Sequence, residues 1–182
     1  MLTFFSGPYE LPLPAADHKL KYLTLGRGIN HYDCNSTNAT VDQRPKFLHQ
    51  DIELYDVAPL AQNLPNEDAL HSLVPLLREY DYAELKNTSM KCVGRMYHRG
   101  STLFVHLTGF NIPEFATTFT WGAPPPTGPT MNGYWNQLVS LDDAWEVYRI
   151  QNSGGATATS CKGHENSTLE VVFAAEYWFY HN

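Results

Sequence analysis

From residue 90 onward the chain is patterned for β-strand almost without interruption, in short segments punctuated by Gly, Pro and Asn. Residues 92–97 and 102–108 flank His98-Arg99-Gly100, which suits a hairpin turn. Phe115, Thr117, Phe119 and Trp121 alternate with smaller residues until Gly122 opens a loop to Gly133 carrying Pro124, Pro125, Pro126 and Pro129. Further strands are expected at about 134–140, 145–151 and 168–180. The last has Tyr177 and Phe179 on one face and Trp178 and Tyr180 on the other, so both faces are expected to be covered. Upstream, 19–33 reads as a strand with a bulge or bend at Gly26-Arg27-Gly28, and 51–57 as another.

Only one segment has a helical period. Asn66 can cap it, Glu67 and Asp68 suit its first turn, and Leu70, Leu73, Val74 and Leu77 recur along one side. Pro75 is expected to kink or shorten it. Residues 1–18, with Pro8, Pro12 and Pro14, read as an irregular segment draped over the surface or covering a sheet edge. No repeat of 20–50 residues is present, which disfavours propellers and solenoids. The expectation is one all-β domain over residues 1–182, a β-sandwich, jelly roll or small barrel, with one short helix near 66–79.

Charged residues are only 17% of the chain and the net charge is −7, with no basic cluster, so no nucleic-acid partner is expected. No apolar run approaches the roughly 20 residues of a membrane-spanning helix. The N-terminus lacks the basic and apolar regions of an intact signal peptide. Yet four Asn-x-Ser/Thr sequons occur, at Asn35, Asn38, Asn87 and Asn166, which favours a secreted glycoprotein. The reading that reconciles these facts is a mature secreted chain whose signal was removed, with an added Met1. Three cysteines allow at most one internal disulfide and leave one thiol, and no Cys-x-x-Cys suggests zinc or thioredoxin-type chemistry.

Motifs of polar catalysis are missing. There is no Gly-x-Ser-x-Gly elbow. The eight histidines, at 18, 31, 49, 71, 98, 106, 164 and 181, form no His-x-His or His-Glu-x-x-His, so they read as surface or hydrogen-bonded strand residues and no metal is expected. Asp51, Glu53, Asp56, Glu146 and Glu176 are the carboxylates weighed for glycoside chemistry, with Glu176, among aromatics, the best candidate for a perturbed carboxyl.

An ordered set of motifs remains: Leu25-Gly26-Arg27-Gly28-Ile29-Asn30-His31-Tyr32-Asp33-Cys34, Leu54-Tyr55-Asp56-Val57, Trp145-Glu146-Val147-Tyr148-Arg149-Ile150, Gly154-Gly155, Cys161, and the closing Ala174-Ala175-Glu176-Tyr177-Trp178-Phe179-Tyr180. Over most of residues 20–180 this resembles a fungal family of secreted proteins of unknown function, often labelled malate dehydrogenase. The resemblance implies a Cys34–Cys161 disulfide with Cys92 free, and an ion pair between Glu176 and Arg149, which both lie in matched motifs. It departs from the family at Gly94-Arg95-Met96-Tyr97-His98, where members carry a Gly-x-His-Tyr-Phe type strand, so no role is carried onto that ring. The dehydrogenase label finds no support: Gly26-Arg27-Gly28 lacks a third glycine and is followed by strand-like residues, so no dinucleotide, and no other cofactor, is expected.

The aromatic surplus, 13% of the chain, points to function. Trp121, Tyr134 and Trp135 bracket the Pro/Gly loop and Asn132 and Asn136 add amides, with Tyr97 and Arg149 as further candidates. Aromatics with a few polar groups around a rigid loop suit an apolar or aromatic small molecule. The expected function is binding of such a molecule, extending to a cofactor-free natural-product cyclase of pericyclic (Diels–Alder) type. The alternative is a non-catalytic glycoprotein that binds carbohydrate or protein through an aromatic face.

Overall fold

Eight strands pair in chain order and the last returns to the first, so the expected all-β fold is a closed antiparallel barrel. The computed structural model describes residues 10–34, 44–157, 159–164 and 167–182. Its strands are β1 (Lys19–Asp33), β2 (Lys46–Asp56), β3 (Cys92–Arg99), β4 (Thr102–Leu107), β5 (Ile112–Ala123), β6 (Trp135–Ser140), β7 (Trp145–Gly154) and β8 (Thr168–His181). β1 pairs with β8 along nearly its whole length, from Lys19 opposite His181 to Asp33 opposite Thr168. Closure removes every sheet edge, which matters for strands this apolar.

Between β2 and β3 lie four short helices: α1 (Ala58–Ala61), α2 (Glu67–His71), α3 (Leu73–Glu79) and α4 (Tyr82–Lys86). Asn66 caps α2 as expected, its Oδ1 accepting the N–H of Ala69 at 3.0 Å. The single expected helix is split at Ser72. A continuous helix would need the residue at 75 to donate to the carbonyl of His71, and Pro75 has no N–H; instead it falls in the first turn of α3, where that donor is not needed.

Strand alternation sorts the residues between two faces. Ile52, Leu54, Met96, Leu103, Val105, Leu107, Leu138, Val147, Phe173, Tyr177 and Phe179 belong to the central core. On the outside, Leu70, Val74, Leu77 and Leu85 of the helices bury Leu25, Tyr55 and Ala174. A third cluster joins Leu11 of the N-terminal segment to Trp135, Tyr148, Ile150, Trp178 and Tyr180. β8 is therefore covered on both faces, which is why residues 174–180 are all buried.

Two expectations are corrected. Gly26 and Gly28 make no bulge: β1 runs through them in unbroken register with both neighbours, and its irregularities fall at Leu20/Tyr22 and His31/Tyr32. The glycines are needed because a Cβ at Gly26 would enter the Tyr177 ring and one at Gly28 the Phe173 ring. Nor does Glu176 pair with Arg149. Arg149 lies opposite Tyr177 and Glu176 opposite Ile150, and that one-residue offset puts the two side chains on opposite faces.

The disulfide is Cys34–Cys161, with a Cα–Cα distance of 5.6 Å, and Cys92 is a free, exposed thiol. Among the described residues no helix is long and apolar enough to cross a membrane. Asn87 is exposed just after α4, while Asn35, Asn38 and Asn166 lie outside the described residues.

Candidate ligand site at the barrel mouth

The two ends of the barrel differ. At one end Tyr22 stacks on Phe110 with centroids 4.1 Å apart, and Trp145 stacks on Phe115 at 5.5 Å and meets His181 edge-on at 4.3 Å, closing the interior with rings. At the other end two adjoining cavities of about 540 and 510 Å³ share Phe47, Gln50, Phe119, Asn136 and Arg149. Volumes of this order suit a small organic ligand.

The mouth is assembled from the ends of many strands. β1 supplies Asn30 and Tyr32, β2 supplies Phe47 and Gln50, β3 His98, β5 Thr117 and Phe119, and β6 Asn136 and Leu138. Arg149 reaches it from β7, where its Nη2 donates to the Tyr134 carbonyl at 2.9 Å and its Cζ stands 5.5 Å from the centre of the Phe173 ring. Among the described residues its Nε and the Asn136 Oδ1 make no hydrogen bond, and the guanidinium stands beside the Tyr177 hydroxyl. None of the ion pairs among the described residues includes Arg149. No carboxylate lines either cavity among the described residues.

Protonation at the mouth follows from burial. Burial pushes the Tyr177 hydroxyl up to about 12, with Arg149 pulling the other way, so it remains a neutral donor. Burial lowers the pKa of His98. The neutral ring accepts the Gln50 N–H on Nδ1 at 3.3 Å, which leaves its proton on Nε2. The site thus offers a cation and neutral donors on an aromatic wall.

The Pro/Gly loop forms one rim because it is tied to the end of β7. Asn132 accepts the Gly154 N–H on Oδ1 at 2.9 Å and donates through Nδ2 to the Thr127 carbonyl at 3.1 Å. Asn152 Nδ2 donates to the Gly133 and Tyr134 carbonyls, each at 2.9 Å. Gly154 and Gly155 have φ of 75° and 82°, which the turn of the chain beneath the loop requires.

Of the six expected ligand residues, the mouth brings together Asn132, Tyr134 and Arg149. Asn132 spends both ends of its amide holding the loop. Trp121, 52% exposed, stands on β5 outside the lining, and Trp135, 6% exposed, is packed against Leu11 and Trp178. Tyr97 is elsewhere, its hydroxyl donating to Glu114 beside Arg99. Sequence reasoning missed Asn30, Gln50 and His98. The available signal was a polar side chain at an inward strand position, as in the β1 row Gly26, Gly28, Asn30, Tyr32.

Two of the carboxylates weighed for hydrolysis, Glu146 and Glu176, are committed elsewhere. Glu146 accepts from Gln137 Nε2 at 3.0 Å, from the Tyr148 hydroxyl at 2.8 Å and from the Ala15 N–H at 2.9 Å. Glu176, fully buried, accepts from Trp178 Nε1 at 3.0 Å and meets His71 Nδ1 at 2.5 Å. His71 is raised in pKa by that hydrogen bond, against the opposing effect of burial. These are braces between the barrel wall and what covers it.

No curated protein and no solved structure matches the chain significantly. A family model does, over residues 14–181, and the chain belongs to that family of proteins of unknown function, DUF3455.

Proposed function

We propose that the barrel mouth binds an apolar or aromatic small molecule carrying one anionic or carbonyl oxygen, and that Arg149 receives that oxygen. The observation that carries this reading is the guanidinium itself, which stands in a concave site where, among the described residues, no carboxylate lies opposite it and its Nε makes no hydrogen bond. Among the described residues no carboxylate neutralises the guanidinium, and an anionic or carbonyl oxygen on a ligand would supply that partner. The planar fork of arginine matches a carboxylate, enolate or conjugated carbonyl, and Phe47, Phe119, Leu103 and Leu138 supply apolar wall for the rest of the ligand.

The chemistry that suits these groups is cofactor-free cyclisation of pericyclic type, which needs neither nucleophile nor metal. The wall holds the reacting termini in register, while Arg149 and the Nε2–H of His98 polarise a conjugated carbonyl. The Cys34–Cys161 disulfide supports a secretory route. Half-exposed Trp121 favours the second reading, a non-catalytic aromatic face for carbohydrate or protein.

An aromatic anion, 1-anilinonaphthalene-8-sulfonate, tests the site by fluorescence titration. Arg149→Met is expected to weaken its binding at least tenfold; unchanged affinity rejects the mouth. Native mass spectrometry of protein from its producing cells identifies the natural ligand, and product analysis with polyene or quinone-methide substrates tests turnover. If Trp121→Ala abolishes capture of that ligand and Arg149→Met does not, the second reading replaces the first.

A further inference from the structure

On the outer surface of the barrel, behind the wall formed by Asn30 and Tyr32, a different constellation lies across three adjacent strands. His31 of β1 is the register partner of His49 on β2 and of Glu170 on β8. Asp51 follows His49 by two residues and so shares its face. The four side chains form one row, Glu170, His31, then His49 with Asp51.

Their atoms converge. His31 Nε2 is 3.6 Å and His49 Nε2 3.5 Å from Asp51 Oδ2. One ligand atom from each of these three residues lies within 4.8 Å of the other two. The two imidazoles stack with centroids 4.3 Å apart. The nitrogen–oxygen gaps are too long for good hydrogen bonds. They match the edge of a tetrahedron around a metal with bonds of about 2.0–2.1 Å, which is about 3.3 Å. On the other side of His31, Nδ1 faces Glu170 Oε1 at 3.4 Å. A carboxylate behind a histidine, opposite the nitrogen that would ligate, is the arrangement that fixes ring orientation at metal sites.

We propose that His31, His49 and Asp51 bind one borderline divalent cation of the Zn²⁺ class, with Glu170 positioning the His31 ring. Two imidazoles and a carboxylate suit such an ion better than Ca²⁺ or Mg²⁺, which prefer oxygen alone. Asp51 and Glu170 together balance its charge. Three protein ligands leave a fourth position for water, and His49 and Asp51 are half open to solvent, at 46% and 56% side-chain exposure, so the ion has a path in. The set has no sequence-spacing signature because barrel register, not a local motif, brings 31, 49, 51 and 170 together.

Isothermal titration of the chelator-stripped full chain with Zn²⁺ alone tests the proposal. One equivalent is expected to bind, and to raise the melting temperature. His49→Ala and Asp51→Asn, chosen because these side chains are exposed enough to leave the metal-free fold intact, should each weaken binding at least tenfold and remove the Zn²⁺-dependent rise. Glu170→Gln should weaken it by about 10-fold without abolishing it. Co²⁺ in place of Zn²⁺ should give visible absorption that His49→Ala removes, while Arg149→Met leaves it unchanged. Absence of binding overturns the proposal, as does binding that survives both His49→Ala and Asp51→Asn. Equal competition by Ca²⁺ or Mg²⁺ overturns the assigned class of ion.

Discussion

Replacing Arg149 by Met should remove ligand binding at small cost to the fold, and the interactions around the guanidinium show why. The change deletes one charge-assisted hydrogen bond, Nη2 to the Tyr134 carbonyl at 2.9 Å, of a kind that contributes about 1.5–3 kcal/mol. That carbonyl is not orphaned, because Asn152 Nδ2 still donates to it at 2.9 Å. The contact over the Phe173 ring, with Cζ at 5.5 Å, loses about 0.5–2 kcal/mol of cation–π attraction, part of which the methionine sulfur recovers. Against these losses, a desolvated donor that makes no hydrogen bond among the described residues disappears, a relief of about 1–3 kcal/mol. At mid-range values the losses exceed the relief by about 1 kcal/mol, a fall of about 2–4 °C for a chain of this length. Thermal unfolding of wild type and Arg149→Met, without ligand, measures it. A loss exceeding about 3 kcal/mol would refute the reasoning, because it would make Arg149 a structural brace.

Trp135→Ala is the contrasting case: its ring is core, so unfolding should show a loss of about 3–5 kcal/mol while anion binding in the folded fraction survives. The Cys34–Cys161 bridge spans 127 residues of sequence and should contribute up to about 5 kcal/mol, read as the stability lost in the Cys34→Ala/Cys161→Ala double variant. Alkylation of the native protein should label Cys92 alone, and a bridged Cys92 would contradict the assignment. His71, whose pKa is raised by Glu176, holds its proton more tightly folded than unfolded, so its stabilisation is complete below the ordinary histidine value near 6.5 and is lost as pH rises through the folded value. Buried His98, with a lowered pKa, has the opposite dependence. The quantity to measure is therefore the difference between wild type and His71→Gln, which should shrink from pH 6 to pH 8; a difference that grows with pH would contradict the sign.

Most strands were legible from their own residue patterns, and β1 occupies the expected Lys19–Asp33, but β2 begins at Lys46, five residues before the expected start. Closure into a barrel was not, since a sandwich, a jelly roll and a barrel all use the same alternation; only the return of β8 to β1 separates them. The helical segment was legible from Asn66 and its apolar spacing, but the break at Ser72 depended on which carbonyl Pro75 would leave unbonded. Arg149 could be singled out within its motif, yet which way it points is decided by register: one residue separates facing Tyr177 inside from facing Glu176 outside. The same limit applied to Trp121, Trp135 and Tyr97, which are aromatic near a loop or a strand end but lie on outward positions. Residues close in sequence to the Pro/Gly loop were visible, whereas Asn30, Gln50 and His98 reach the mouth only through strand pairing.

Register also explains what sets the depth of the site. Phe173 and Tyr177 point inward; Phe173 is opposite Gly28 on β1, and the Tyr177 ring leans over Gly26, two residues from its register partner Thr24, so a Cβ at either glycine would overlap a ring. With no side chain beneath them, both rings lie close against the β1 wall, and Arg149 occupies the space above Phe173. Larger residues at 26 and 28 would push the rings toward the guanidinium and fill the space a ligand needs, because a packed interior has no slack to absorb them. Glycines that read in the sequence as a break in a strand thus leave the strand intact and hollow the barrel at one end, while Trp145, Phe115, Tyr22 and Phe110 close the other. The open end is the one that carries Arg149, which none of the ion pairs among the described residues includes.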